Sequence, residues 1–277
     1  MERIPRTHIL VLVTALAVGT VGCSKLSARD KLNKGVQAYK AGNMDRAIEL
    51  FKESKQLDPA LLNSRLYLAT AYASQYIPGA PSEENTRKAE AAVREFKEVL
   101  QVDANNLSAI DGLGSIISNM AGNPFKPELF DESKIFHKKH IALKPDDPDP
   151  YYWIGFINWT LAYRSNDVLR ADYNKNARKP VKGDEPMPDK VREEFAQKNA
   201  ALIEEGIGNL NKATSLNPDY ASAFAYLNLL YRQKADLVGT AQEREQLLTQ
   251  ADEYVEKYKV IKQKELEKAA SGGMPAS

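Results

Sequence analysis

Between residues 28 and 265, apolar side chains recur at helical spacing, interrupted by short breaks rich in Gly, Pro and Asn. The run from Gly35 to Phe51 reads as two helices joined by Ala41-Gly42-Asn43, and Leu57-Asp58-Pro59 ends the second. Val191, Phe195, Leu202, Ile203, Ile207 and Leu210 form a stripe on a helix predicted from about Asp189 to Ser215. Leu248, Ala251, Val255, Tyr258 and Ile261 form another on a helix predicted from Ala241 to Ala270, whose other face is Glu, Lys and Gln. The third second-of-pair helix, around Ile135 to Ala142, has the weakest pattern. Breaks are predicted at Pro78-Gly79-Ala80-Pro81, Gly122-Asn123-Pro124, Lys179 to Pro188 and Val238-Gly239-Thr240, where Thr240 is placed to cap the last helix.

These helices repeat. Small residues mark each first helix at Gly35, Ala69, Gly114, Gly155 and Asn228, and each second helix at Ala47, Ala92, Ser133, Gly206 and Ala251. Terminators follow at Pro59, Ala104, Pro145 and Pro218. The spacing from second-helix mark to terminator is the same in all four cases: Ala47 to Pro59, Ala92 to Ala104, Ser133 to Pro145 and Gly206 to Pro218. The spacing from each terminator to the next first-helix mark is also constant: Pro59 to Ala69, Ala104 to Gly114, Pro145 to Gly155 and Pro218 to Asn228. Only the interval within a pair varies, shortest from Gly35 to Ala47 and longest from Gly155 to Gly206. The marks have physical reasons. Small residues let two helices cross closely, Phe51 fills the space beside the crossing, and Pro59 cannot continue a helix.

With its fixed and variable intervals, this pattern resembles the tetratricopeptide repeat (TPR), a helix–turn–helix unit of about 34 residues. The resemblance implies an all-α solenoid of about five repeats over 28–265. Four of the five pairs carry an insertion, always in the connection between helices A and B, and the longest lies at about 165–188. Stacking between repeats is then undisturbed, and the insertions emerge on one edge. The resemblance also implies a groove, lined by helices A, that holds a protein or peptide. The groove positions so identified include Asn33, Tyr39, Tyr67, Tyr152, Trp153, Phe156, Trp159 and Tyr226. The chaperone-type carboxylate clamp of the family is absent, since Leu32, Val36, Tyr67, Ser108 and Gly112 occupy its places in the first three repeats.

The N-terminus reads as an address. Arg3 and Arg6 precede an apolar run from Ile9 to Val18, too short to span a bilayer. Small residues then lead to Cys23, the only cysteine. Residues 1–22 resemble a bacterial lipoprotein signal, with Gly22 before the cut and Thr20 departing from the usual Leu. The resemblance makes Cys23 the lipidated first residue of the mature chain and 23–27 a linker to the repeats. Ser24 beside it implies the outer membrane, facing the periplasm. Residues 266–277 are expected to form a C-terminal end and flexible tail.

Composition narrows the function. The 277 residues carry 38 basic and 37 acidic side chains, so bulk charge does not recruit nucleic acid. A single cysteine excludes an intramolecular disulfide framework. No phosphate-binding loop, Ser/His/Asp set or paired-carboxylate motif appears, so neither an enzyme nor a cofactor is expected. His137 and His140, three residues apart on a helix, would need one or two further ligands to hold zinc, with Asp131 or Glu132 as nearby candidates, but Lys138 and Lys139 oppose a cation and the pair reads as a solvated face. The stretch Tyr151 to Trp159 admits two readings, an aromatic platform for a partner or a core stripe covered by the long insertion. Lys175, Arg178, Lys179 and Lys182 give that insertion a basic cluster.

The function expected is a non-catalytic scaffold of the cell envelope, held by its lipid and binding a protein or peptide in the groove. An accessory of barrel assembly, or a pilus pilotin, is the related alternative. A glycan- or solute-binding protein, or an enzyme with its site near Trp153 and Trp159, is the alternative of another class.

Overall fold

A computed structural model describes residues 6–183 and 185–271, with side chains from residue 23 to 270 except 184. The described residues form ten helices and no strand. These are α1 (Arg6–Lys40), α2 (Met44–Leu57), α3 (Leu62–Gln75), α4 (Glu83–Val102), α5 (Leu107–Gly122), α6 (Pro127–Leu143), α7 (Asp149–Asn176), α8 (Asp189–Leu216), α9 (Ala221–Ala235) and α10 (Ala241–Ser271). They make five helix–turn–helix pairs, gathered in two compact units, 1–136 and 137–277, with the division inside α6. Side chains of the predicted leader, 1–22, and residues 272–277 of the predicted tail lie outside the described residues.

The repeat marks sit where close packing needs them. All five helix-B marks are buried, four of them with no exposed surface (Ala47, Ala92, Ser133 and Ala251). A Cβ on Gly35 would lie 2.5 Å from the Phe51 ring, so the glycine is what lets Phe51 sit flat between α1 and α2. Gly155 has the same relation to Leu210, four residues beyond Gly206 as Phe51 is four beyond Ala47. In the third pair the two marks touch directly, the Ser133 hydroxyl donating to the Gly114 carbonyl at 2.7 Å. Asn228 is only partly buried, and its side-chain oxygen instead accepts from Arg232 Nε at 2.9 Å.

Four helices, α2, α4, α6 and α8, each end two residues before the terminator. Proline does not stop them all, since the second terminator is Ala104. The shared device is an Asx turn. Asp58, Asp103 and Asn217 each accept, through the side chain, the backbone N–H two residues on, at 3.1–3.2 Å. The same three residues accept through their carbonyls from Leu61, Asn106 and Tyr220. Lys144 takes that place after α6, and Asp147 supplies the side-chain turn to Asp149 N instead.

In unit 1, α1 packs on α2, α3 on α4, and helices A touch one another, α1 with α3 and α3 with α5. Ser54 ties three helices together. Its hydroxyl donates to Ala28 O at 2.6 Å and meets Ser64 Oγ at 2.7 Å. Ser54 has one proton, so Ser64 is the donor in the second bond. In unit 2, α7 packs on α8, α9 on α10, and α7 on α9. The stripe predicted on α8 lies in or against this core, with Phe195, Ile203, Ile207 and Leu210 buried.

Two predicted irregular segments are partly helical. Residues 23–27 belong to α1, and Ser24 Oγ donates to Leu57 O at 3.2 Å. In the long insertion α7 continues to Asn176, leaving 177–188 between helices. Thr240 caps α10, accepting from Glu243 N at 3.2 Å, while its hydroxyl donates to Glu243 Oε2.

Candidate functional site

The aromatic residues predicted on α7 and α9 come together in unit 2. Tyr152, Trp153, Phe156 and Trp159 follow one another at helical spacing on α7. The α9 ring of Tyr226 stands edge-on to Tyr152, Phe156 and Trp159, with centroids 5.8, 5.2 and 5.1 Å away. Tyr220 stacks on Tyr152 at 5.1 Å, and Tyr163 on Trp159 at 5.4 Å. These offset and edge-to-face contacts are the favourable ones for aromatic quadrupoles.

Of the two sequence readings of this stripe, the core one is met in part. Tyr152, Trp159 and Tyr226 pack against the buried core, yet all five predicted residues keep part of their surface exposed. Partial burial raises the Tyr152 phenol to about 12, helped by the neighbouring Tyr226. Burial also raises Tyr220, whose hydroxyl donates to Asp149 Oδ1 at 2.9 Å. Both therefore present neutral phenols at physiological pH.

The remaining insertion is docked rather than loose. Met187 is buried in the unit 2 core. Asn174 brackets Val181, its amide donating to the carbonyl and its oxygen accepting from the N–H. Arg170 donates Nη1 to both Lys182 O and Glu185 O at 2.9 Å, while its Nη2 bonds Asp236 Oδ2 at 3.0 Å. Asn166 donates to the same Asp236 oxygen at 2.8 Å and accepts from Arg170 Nε at 2.7 Å. The pinned loop bounds a cleft of about 480 Å³ beside the partly exposed rings. Trp159, Tyr163, Gly183, Leu229, Arg232, Gln233, Asp236, Arg244 and Leu248 line it.

Unit 1 holds the other predicted groove residues, and they do not form such a cluster. Asn33 is exposed on α1. Tyr39 packs on the core beside Val36, and Tyr67 stacks on Phe51 at 5.6 Å while staying 39% exposed.

The histidines depart from expectation. Both are buried, His137 at 2% and His140 at 3% exposure, so they do not form a solvated face. His137 takes the place in its repeat that Phe51 and Phe96 take in theirs, four residues past the small mark. It stacks parallel on Trp153, with centroids 5.7 Å apart. Its Nε2 is buried without a hydrogen-bond partner, and burial, with His140 nearby, lowers its pKa to about 4. His137 thus acts as a neutral ring of the core. Among the described residues no group of three or more His, Cys, Asp or Glu is placed to hold a metal.

Known structures fix the architecture. A MamA RS-1 double mutant superposes with TM-score 0.56 at 15% identity, over 86% of this chain and 96% of that one. MamA from residue 41 of Desulfovibrio magneticus RS-1 gives 0.53 at 16%, over 83% and 96%. YrrB, described as a TPR protein with an unusual peptide-binding site, gives 0.50 at 13%, over 88% and 91%. The fold is of the TPR type. No protein-family model matches the sequence, and no curated protein matches it.

The polar half of the cleft was not visible in the sequence. Asn166, Arg170, Asp236 and Arg244 lie far apart in the chain and follow no local motif. One signal was present. Asn166, Leu169, Arg170 and Tyr173 share one face of α7 at helical spacing, but the face is mostly polar.

Proposed function

We propose that this chain is a non-catalytic interaction protein whose partner, a protein or peptide, is held on the aromatic face of α7 and α9. The observation that carries this is the connected, partly exposed cluster from Tyr152 to Tyr226. Rigid aromatic rings with one side packed and the other open offer large contact area at little entropy cost, the usual anatomy of a binding hot spot. The TPR-type architecture supports the reading, since YrrB, of the same fold, is described as having a peptide-binding site.

The lipid tether belongs to the same proposal. Cys23 is exposed with a free thiol, and the pattern before it resembles a lipoprotein signal. Acylated there, the mature chain would be held at a membrane of the cell envelope, the outer membrane following from Ser24. Among the described residues no helix is long and apolar enough to cross a membrane, so on this reading attachment rests on the acyl chains.

The test is crosslinking and pull-down from native envelopes with the full chain, compared with Trp159→Ala and Tyr226→Ala. Capture should fall at least tenfold in each variant, and unchanged capture in both would refute the binding face. Cys23→Ala should move the protein from the membrane to the soluble fraction and abolish labelling by a fatty-acid analogue. Retention and labelling in that variant would refute the tether.

A further inference from the structure

The cleft beside Trp159 is chemically lopsided. Its apolar side is Trp159, Leu229 and Leu248, and its charged lining is Arg232, Arg244 and Asp236. Asp236 is already compensated within the fold. One oxygen accepts from Asn166 and Arg170, and the other lies 3.8 Å from Arg244. Asp236 lies between Arg170 and Arg244, so Arg170, Arg232 and Arg244 stand against Asp236 and Asp252, and these groups keep one net positive charge. Arg232 also touches Asp252, but both are open to water, at 45% and 68% exposure. Solvent screens a pair that exposed, so an incoming carboxylate can take Asp252's place at little cost.

The loop adds to this. Gly183 lines the cleft, and the same loop carries Arg178, Lys179 and Lys182, all three exposed. Lys182 is not free to swing away with its backbone. Its carbonyl is held by Arg170, and its N–H donates to Glu185 Oε2 at 3.0 Å. That bond engages Glu185, and with Asp184 the loop carries two acidic residues against its three basic ones. Basic and acidic residues balance over the whole chain, so this small cationic excess beside an apolar pocket is local.

We propose that the cleft recognises an acidic polypeptide segment bearing one bulky apolar side chain. The apolar side chain seats against Trp159, Leu229 and Leu248, and the flanking carboxylates face Arg232, Arg244 and the loop cations. A cleft of this volume has room for a bulky side chain together with its flanking residues, and complementary charge sets partner choice and encounter rate. The inference rests on the proposed protein-binding role of the α7/α9 face and specifies the partner's chemistry.

The test uses two synthetic twelve-residue peptides, one with a central Leu flanked by Glu, the other with every Glu replaced by Lys. The full chain in mild detergent carries Trp153→Phe, so that Trp159 is the only tryptophan and is excited selectively over tyrosine. Calorimetry on the unsubstituted chain repeats the comparison free of that change. The acidic peptide should bind at least tenfold tighter than the basic one and weaken several-fold as salt rises from about 50 to 300 mM. Arg232→Gln and Lys182→Gln, both at exposed positions, should each reduce its affinity at least threefold.

Equal binding, preference for the basic peptide, no binding of either, or indifference to both substitutions would overturn the proposal. So would a response only to oligosaccharides or to vesicles of anionic lipid. If the acidic peptide fails while envelope capture still depends on Tyr226, the proposed chemistry is wrong and the binding face stands. If capture also ignores Trp159 and Tyr226, the face itself is wrong.

Discussion

Removing Asp236 tests whether one buried carboxylate fixes the wall of the cleft. The Asp236 side chain is 8% exposed and that of Arg170 is 10% exposed, so solvent screens their attraction little. Asp236→Ala deletes the acceptor of two hydrogen bonds, from Arg170 and Asn166, and leaves the Arg170 charge buried without its counter-ion. Breaking a buried pair in this way costs about 3–5 kcal/mol. With a urea slope of ~2 kcal/mol per M, the unfolding midpoint should fall by about 2 M. Both tryptophans lie in unit 2, so tryptophan emission reads the unfolding of that unit alone. Arg170→Ala should cost a comparable amount and also release Lys182 and Glu185. The double variant should be less damaged than the sum of the two, by about 2 kcal/mol, because the pair is removed together. A coupling below ~0.5 kcal/mol would refute the view that this ion pair holds the loop in place.

Other outcomes can be measured alongside. Gly155→Ala sets a methyl group on Leu210 and should cost about 1–3 kcal/mol in urea unfolding, with partial recovery when Leu210 is shortened to Val. His137 is neutral in the fold with a pKa of about 4, against about 6.5 when unfolded. Below pH ~6.5 the unfolded chain therefore binds a proton that the folded chain refuses, and stability should fall between about pH 6.5 and 4 by up to ~3 kcal/mol. His137→Phe, matching Phe51 and Phe96 in the other repeats, should flatten that acid limb in a pH series of thermal melts. Asn85 bonds the N–H and carbonyl of Ile77 and the carbonyl of Ala80. Asn85→Ala should cost about 1 kcal/mol and open residues 77–82 to proteolysis, read by the site of first cleavage.

The helix pairs were legible because close crossings demand small residues at fixed intervals, and those intervals survive every insertion. The boundaries after Leu57, Val102 and Leu216 were legible for a second reason, since Asp58, Asp103 and Asn217 carry a turn that needs only neighbouring atoms. The aromatic half of the site was visible as a run on one helix. Its polar half was not, because Arg170 and Asp236 are 66 residues apart and meet only when α7 and α9 pack. The helical end of α7 escaped for a related reason. Asn166 and Arg170 are covered by partners rather than by oil-like neighbours, so hydropathy marks that segment as a loop. Nor does hydropathy show a histidine serving as a core ring, because its burial depends on the small mark that precedes it and on Trp153.

The hydrogen bond from Ser24 to Leu57 sets a distance as well as a contact. On the proposed tether, the first residue after the acyl chains is already clasped to the end of α2, so there is no leash. A tethered body usually searches a volume set by its linker, and its effective concentration toward a partner falls as that linker lengthens. Here unit 1 would stand on the headgroups themselves. Capture would then be confined to partners that come to the membrane surface, while lengthening the chain between Cys23 and Ser24 with a flexible spacer would widen the reach and dilute the encounter.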